Sequence, residues 1–207
     1  MSDHYRTLRE PAELRHKIER SEFLGVAFPV TTEDEFFAEL ERTQKRYFDA
    51  THHCWAYRLF TGGRSRSSDA GEPSGTAGKP ILAAIEGAAL HDVGVIVVRW
   101  YGGIKLGTGG LSRAYRDTAA ETLRNAPVLD RYVYERVAVI IPFESLSHAY
   151  RLVNPPDVVL VEERYGEENV FLYDVRLSSV EGFRKRLTER RLTVSCGAAG
   201  FSPPTDR

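Results

Sequence analysis

The residues of this 207-residue chain with the clearest chemical potential are two short echoes, Gly75-Thr76-Ala77-Gly78 and Gly107-Thr108-Gly109-Gly110, each set before a stretch of helical periodicity. Glycines let a backbone approach a ligand closely, a threonine hydroxyl can cap a helix, and the first amides of a helix are unpaired at the positive end of its dipole. A helix start of this kind binds anions. Lys79 and Lys105 stand beside the two loops, Arg99 ends the apolar run between them, and Arg113 and Arg116 follow in the first turns of the second helix. A phosphate-containing ligand would find several donors there, provided that the two loops converge. The competing reading is structural: paired glycines only shape turns, and the neighbouring aromatics are core.

Asp69 and Glu72 are the carboxylates of the glycine-rich loop, and two acids among cations could act as acid and base or hold a magnesium ion. Ion pairing to Lys79 or Arg99 is the commoner role for such groups. His52-His53-Cys54 invites a metal reading with His91 or Asp69 as a third ligand. Neighbours on a strand face opposite ways, however, so only His52 and Cys54 could share an ion. No spacing demands one, and no metal is expected. A Cys54 nucleophile would need a histidine beside it in space, which adjacency in sequence does not supply. Cys196 reads as a small apolar residue of the last strand. The Walker pattern fails because Thr108 and Gly109 follow Gly107, and the dinucleotide pattern fails at Ser112, so ATP, GTP and NAD are not expected and no cofactor is assigned.

A net charge of −1, with both signs abundant, excludes a histone-like basic arm and an acidic solvating tail, so any polyanion-binding surface must be local. Residues 51–126 carry nine Lys and Arg against six Asp and Glu, whereas residues 1–50 carry eight against eleven. Arg99 beside Trp100 and Tyr101, and Arg58 beside Trp55 and Tyr57, interleave cations and aromatics as surfaces that stack unpaired bases do. Two distant cysteines and no apolar leader point to reduced thiols in the cytoplasm. The longest apolar run, Val93 to Val98, is far shorter than a bilayer span, and no membrane segment is expected.

The elements that must position these residues follow from periodicity. Alternation at Leu14, His16 and Ile18, then the apolar run from Phe23 to Val30, predict an opening hairpin. Thr31 or Thr32 caps a helix carrying Phe36, Phe37, Leu40 and Tyr47. Cys54 to Phe60 reads as a strand, Arg64 to Pro80 as a loop, Ile81 to Leu90 as a helix, Val93 to Val98 as a buried strand, and Leu111 to Asn125 as a helix stopped by Pro127. A domain boundary is placed near Tyr132 to Glu135, giving a first domain over residues 1–133 and a second over 134–201. The second reads as strand (Val137 to Ile141), helix (Phe143 to Val153), strand (Val158 to Tyr165), strand (Val170 to Leu177), helix (Val180 to Glu189) and strand (Leu192 to Ala198). This βαββαβ order is ferredoxin-like. Residues 202–207 are expected to be a disordered tail.

Read together, Ala50-Thr51-His52-His53-Cys54-Trp55-Ala56-Tyr57-Arg58, the segment Ser68 to Pro80, and the segment Arg99 to Leu111 resemble the IMPACT family, in its bacterial YigZ-like branch. The resemblance covers nearly the whole chain. It implies an α+β protein, with an N-terminal domain like the second domain of ribosomal protein S5 and a C-terminal ferredoxin-like domain similar to those of elongation factor G. Eukaryotic members are linked to control of translation initiation, where they compete for the activator of a general-control kinase; they carry an additional N-terminal RWD domain that this sequence does not contain. Two positions depart from the family pattern. Glu22 replaces a basic residue, which argues against a basic patch at that strand end, and Ala70 replaces an acid, which weakens any two-carboxylate metal site.

The leading expectation is a non-enzymatic regulatory or accessory factor of translation that binds RNA or a ribosome-related partner. Its binding face comprises Arg58, Gly75, Thr76, Gly78, Lys79, Arg99, Lys105, Gly107, Thr108, Gly109, Gly110 and Arg113, with lysine and arginine as phosphate contacts. The alternatives are an enzyme acting on a small phosphorylated or nucleotide-like substrate through Asp69 or Glu72, and a protein-interaction module. The oligomeric state is not legible.

Overall fold

The computed structural model describes residues 3–190, 192–194 and 201–202. The architecture is α+β, in two compact units: Tyr5–Asp130, and a second that joins the residues up to His4 to the chain from Arg131 onward.

A short strand β1 (His4–Leu8) precedes the hairpin of β2 (Ala12–Ile18) and β3 (Ser21–Pro29). Thr32 then opens α1 (Glu33–Arg46) with a capping box: its hydroxyl accepts the Glu35 amide while the Glu35 carboxylate reaches back to the Thr32 amide. There follow β4 (His52–Arg58), β5 (Ser65–Ser68), α2 (Gly78–Gly87), β6 (Val93–Trp100) and α3 (Gly107–Asn125). The sheet of this unit is antiparallel throughout, in the order β2-β3-β6-β4-β5.

Alternation along its strands feeds two cores. Phe23, Ala27, Cys54, Ala56, Val95 and Val97 face α2 and α3, while Leu24, Val26, Tyr57, Ile96 and Val98 face α1 with Phe36 and Leu40. Helices cover β6 on both faces, which is why it reads as an unbroken apolar run.

In the second unit β8 (Tyr134–Ile141), α4 (Leu146–Tyr150), β9 (Val158–Arg164), β10 (Asn169–Arg176), α5 (Val180–Glu189) and β11 (Thr193–Val194) follow the βαββαβ order. The sheet order β11-β8-β10-β9 is the ferredoxin-like arrangement, and β12 (Phe201–Ser202) adds to β8. Asp3 belongs to this unit: its carboxylate accepts Arg176 Nε at 3.0 Å and the Ser178 amide at 2.8 Å. β7 (Val128–Tyr132) pairs with β1 in a separate two-stranded sheet.

Three strands escape periodicity. β1 and β7 are five residues each, and β5, Ser-Arg-Ser-Ser, is an edge strand without an apolar face inside what composition reads as loop. The helix expected over Phe143 to Val153 is α-helical only at Leu146–Tyr150, after a 3-10 turn at Phe143–Ser145. Ser202, expected in a disordered tail, is paired in β12. Residues 195–200, with Cys196, and residues 203–207 lie outside the described residues. No helix among the described residues is long and apolar enough to cross a membrane.

Candidate functional site

The first G-T-x-G segment already holds an anion, and it is internal. Asp69, just after β5, accepts the amide of Gly75 at 2.8 Å on one carboxylate oxygen and those of Ala77 and Gly78 at 2.9 and 2.8 Å on the other. Burial alone would raise this carboxyl, but the three amides and the charge of Lys79 outweigh it and hold the group below its ordinary value. Thr76 does not cap: its hydroxyl donates to the Pro73 carbonyl at 2.6 Å. Gly78 is required sterically, since a Cβ there would lie 2.7 Å from the Ser68 amide nitrogen. The expectation that Gly75, Thr76 and Gly78 form an open anion cradle is corrected accordingly, and Asp69, a candidate acid or base weighed against ion pairing, is the acceptor for these amides.

Glu72 is the hub of a buried polar cluster. Its Oε1 accepts Arg99 Nη1 at 2.5 Å and the Tyr115 hydroxyl at 2.8 Å, and the Glu72 and Arg99 side chains are 4% and 5% exposed. Arg99 Nη2 donates to Ser21 Oγ at 3.1 Å, and its guanidinium lies between the rings of Phe23 and Tyr101, 5.3 and 5.4 Å from their centroids. His52, opposite Arg99 in the β4–β6 register, bonds the Ala70 carbonyl through Nδ1 at 3.0 Å and brings Nε2 to 3.9 Å from Glu72 Oε1.

His53 points to the other face and bonds the Tyr47 carbonyl. Burial pushes the Cys54 thiol up to about 12, and its sulfur donates to the Asp69 carbonyl at 2.9 Å, so it is a protonated core group and not a nucleophile. Burial, with Cys54 and Glu72 as neighbours, raises Tyr115 as well, which keeps its hydroxyl a donor. Among the described residues no group of three or more His, Cys, Asp or Glu is arranged to hold a metal.

Above this cluster opens a cleft of about 440 Å³, lined by Thr51, His52, Glu72, Pro73, Arg99, Tyr101, Lys105, Leu106, Gly107, Thr108 and Leu111. It lies at the start of α3, whose first amides, unlike those of α2, donate to no side chain among the described residues. Gly107 has φ +70°, and beyond the adjoining chain and the helix's own backbone a Cβ at Gly107 or Gly109 would meet no atom of the described residues within 4 Å. The second G-T-x-G segment is therefore open where the first is filled.

The expected site residues divide accordingly. Lys105, Gly107, Thr108 and Glu72 share the cleft with Arg99, but Arg99 is buried in its ion pair and is no exposed phosphate contact. Lys79 and Arg113 are exposed without lining the cleft, and Gly109 and Gly110 continue the first turn of α3. Arg58 is at the opposite end of the sheet, because β4 and β6 are antiparallel and Arg58 pairs with Val93 while His52 pairs with Arg99. Of the aromatics expected to stack bases, Trp55, Tyr57 and Trp100 pack on the α1 side, and Tyr101 alone of the four stands at the cleft, 44% exposed. Thr51, Ser21 and Tyr115 were not legible as site residues; Tyr115 in particular falls on the apolar face of α3 and carries no local signal.

The Impact N-terminal domain model matches residues 19–123, which span the cleft and both glycine segments. A protein of Thermus thermophilus described as an IMPACT family member in the pol 5' region is 44% identical over 153 residues, 74% of this chain and 82% of the relative. YvyE of Bacillus subtilis is 32% identical over 89% of this chain and 86% of its own length, and YigZ of Escherichia coli is 38% identical over 75% and 78%. The crystal structure of a hypothetical protein superposes with a TM-score of 0.67 at 26% identity, covering 94% of this chain and 97% of the other. Sequence motifs, matched domain and near-full-length relatives agree: this chain belongs to the IMPACT family, alongside its YigZ-type members.

Proposed function

We propose that this protein is a translation-associated accessory factor of the cytoplasm that binds a phosphate-bearing partner, an RNA or a ribosome-related surface, through the cleft at the start of α3. The observation that carries the reading is the asymmetry of the two glycine segments: α2 is capped by Asp69, whereas α3 leaves its first amides uncapped beside Lys105. Uncapped amides at a helix start and a lysine suit a phosphate, and the exposed Tyr101 ring suits an unstacked base. The family's link to control of translation initiation in eukaryotes supports the process.

The test is a fluorescence-anisotropy titration against single-stranded RNA, duplex RNA and duplex DNA at two salt concentrations, with wild type and Lys105→Glu. Salt-dependent binding to single-stranded RNA, weakened by Lys105→Glu with a smaller salt slope, is the expected result. No binding to any of the three refutes it.

A second reading has its own observation. Glu72, hydrogen-bonded by Arg99 and Tyr115 with His52 Nε2 3.9 Å away, faces a cleft whose size suits a small ligand, as in an enzyme acting on a phosphorylated or nucleotide-like substrate. Calorimetric titration with ribonucleoside monophosphates separates the two: binding lost in Glu72→Gln, without RNA binding, favours the enzyme.

A further inference from the structure

A second concavity of the first unit, of about 520 Å³, runs along α2 and α3 and shares no lining residue with the cleft. Its floor is small and apolar, with Ala83 and Gly87 from α2 and Ala120 from α3. Arg6, Arg116 and Arg124 also line it, all three exposed, and no carboxylate does. Arg116 meets only its exposed neighbour Asp117, at 3.3 Å, and Arg6 and Arg124 have no carboxylate within ion-pair distance among the described residues.

Arg116 and Arg124 are eight residues apart on one helix, two turns or about 12 Å at the α-helical rise. Carboxylates two turns apart on another helix match that interval. The small floor lets a second backbone come close, and beyond the backbone of α2 itself a Cβ at Gly87 would meet no atom of the described residues within 4 Å. A nucleic-acid backbone would satisfy the arginines and leave the apolar floor wet; an amphipathic helix satisfies both.

We propose that this groove docks an acidic amphipathic helix of a partner protein, its apolar stripe on Ala83, Gly87 and Ala120 and its carboxylates on Arg116 and Arg124. The site is independent of the cleft, so variants of either leave the other's binding intact.

The experiment is selection of a displayed library of alanine-based helical peptides with randomised faces on the full-length protein, followed by anisotropy of the enriched peptides. Enriched sequences are expected to carry an apolar stripe bracketed by Asp or Glu two turns apart. They should bind wild type and Lys105→Glu equally, and bind at least tenfold more weakly to Arg116→Glu/Arg124→Glu and to Gly87→Trp, whose side chain fills the groove. Circular dichroism checks that Gly87→Trp folds; if it does not, the surface double variant alone decides. Enrichment of no acidic helix, enriched peptides indifferent to the double variant, or single-stranded RNA binding lost in that variant in place of helix binding would each overturn the proposal.

Discussion

The Asp69 carboxylate accepts the Gly78 backbone amide at 2.8 Å from nine residues upstream, so the start of α2 is capped by a side chain that belongs to the preceding strand end. Loss of a helix cap costs about 1–2 kcal/mol, and here two further amides lose their acceptor, so Asp69→Ala should lower stability by about 2 kcal/mol or more in urea denaturation. Because the folded carboxyl titrates below the unfolded one, its contribution is complete above the unfolded value and is lost as pH falls through the folded value. Wild-type stability should therefore decline more steeply than that of Asp69→Ala below about pH 4, an unperturbed aspartate's range. Parallel pH profiles for the two would remove Asp69 from this role.

Gly78 closes the first echo and Gly109 is the third residue of the second, and the two differ in surroundings. A Cβ at Gly78 runs into the Ser68 backbone at 2.7 Å, whereas at Gly109 it meets nothing within 4 Å. Gly78→Ala should destabilise by about 1–3 kcal/mol, as overpacking against backbone does. Gly109→Ala, in the first turn of α3, should instead leave thermal stability unchanged or raise it by up to about 1 kcal/mol. A loss of RNA affinity in Gly109→Ala without loss of stability would mark the glycine as kept for close approach of a ligand.

Glu72 and Arg99 form a buried pair, and removing one partner strands the other's charge. Glu72→Gln and Arg99→Met should each cost about 3–5 kcal/mol, while the double variant Glu72→Leu/Arg99→Met should recover much of that loss. A double-mutant cycle in urea measures the coupling; additive losses would mean that the two charges do not depend on each other.

Cys54 should resist alkylation. In a Cys196→Ser background, to leave one thiol, iodoacetamide at pH 8 should not label the folded protein and should label it fully in denaturant, because the buried thiol ionises only near pH 12. Rapid labelling of the folded chain would contradict the packing of β4 against α2.

Periodicity and turn chemistry, which depend on neighbours in the chain, determined the capped start of α1, the buried strand β6 and the βαββαβ order of the second unit, while the motifs of the glycine-rich stretch carried the family resemblance and with it the α+β class. Tertiary structure alone decided which of two near-identical loops is open. The choice depends on Asp69 reaching the amides of Gly75, Ala77 and Gly78, and nothing in a G-T-x-G pattern records whether an acid lies over it. The antiparallel pairing of β4 with β6 likewise separated Arg58 from Arg99 by the length of the sheet, and burial turned Arg99 from a phosphate contact into the partner of Glu72. The arginine-lined groove joins Arg6 to Arg116 and Arg124 across more than a hundred residues of sequence, a distance over which local propensity carries no information; the bridge from Arg6 of β1 to Leu90 and the packing of α2 against α3 bring them together.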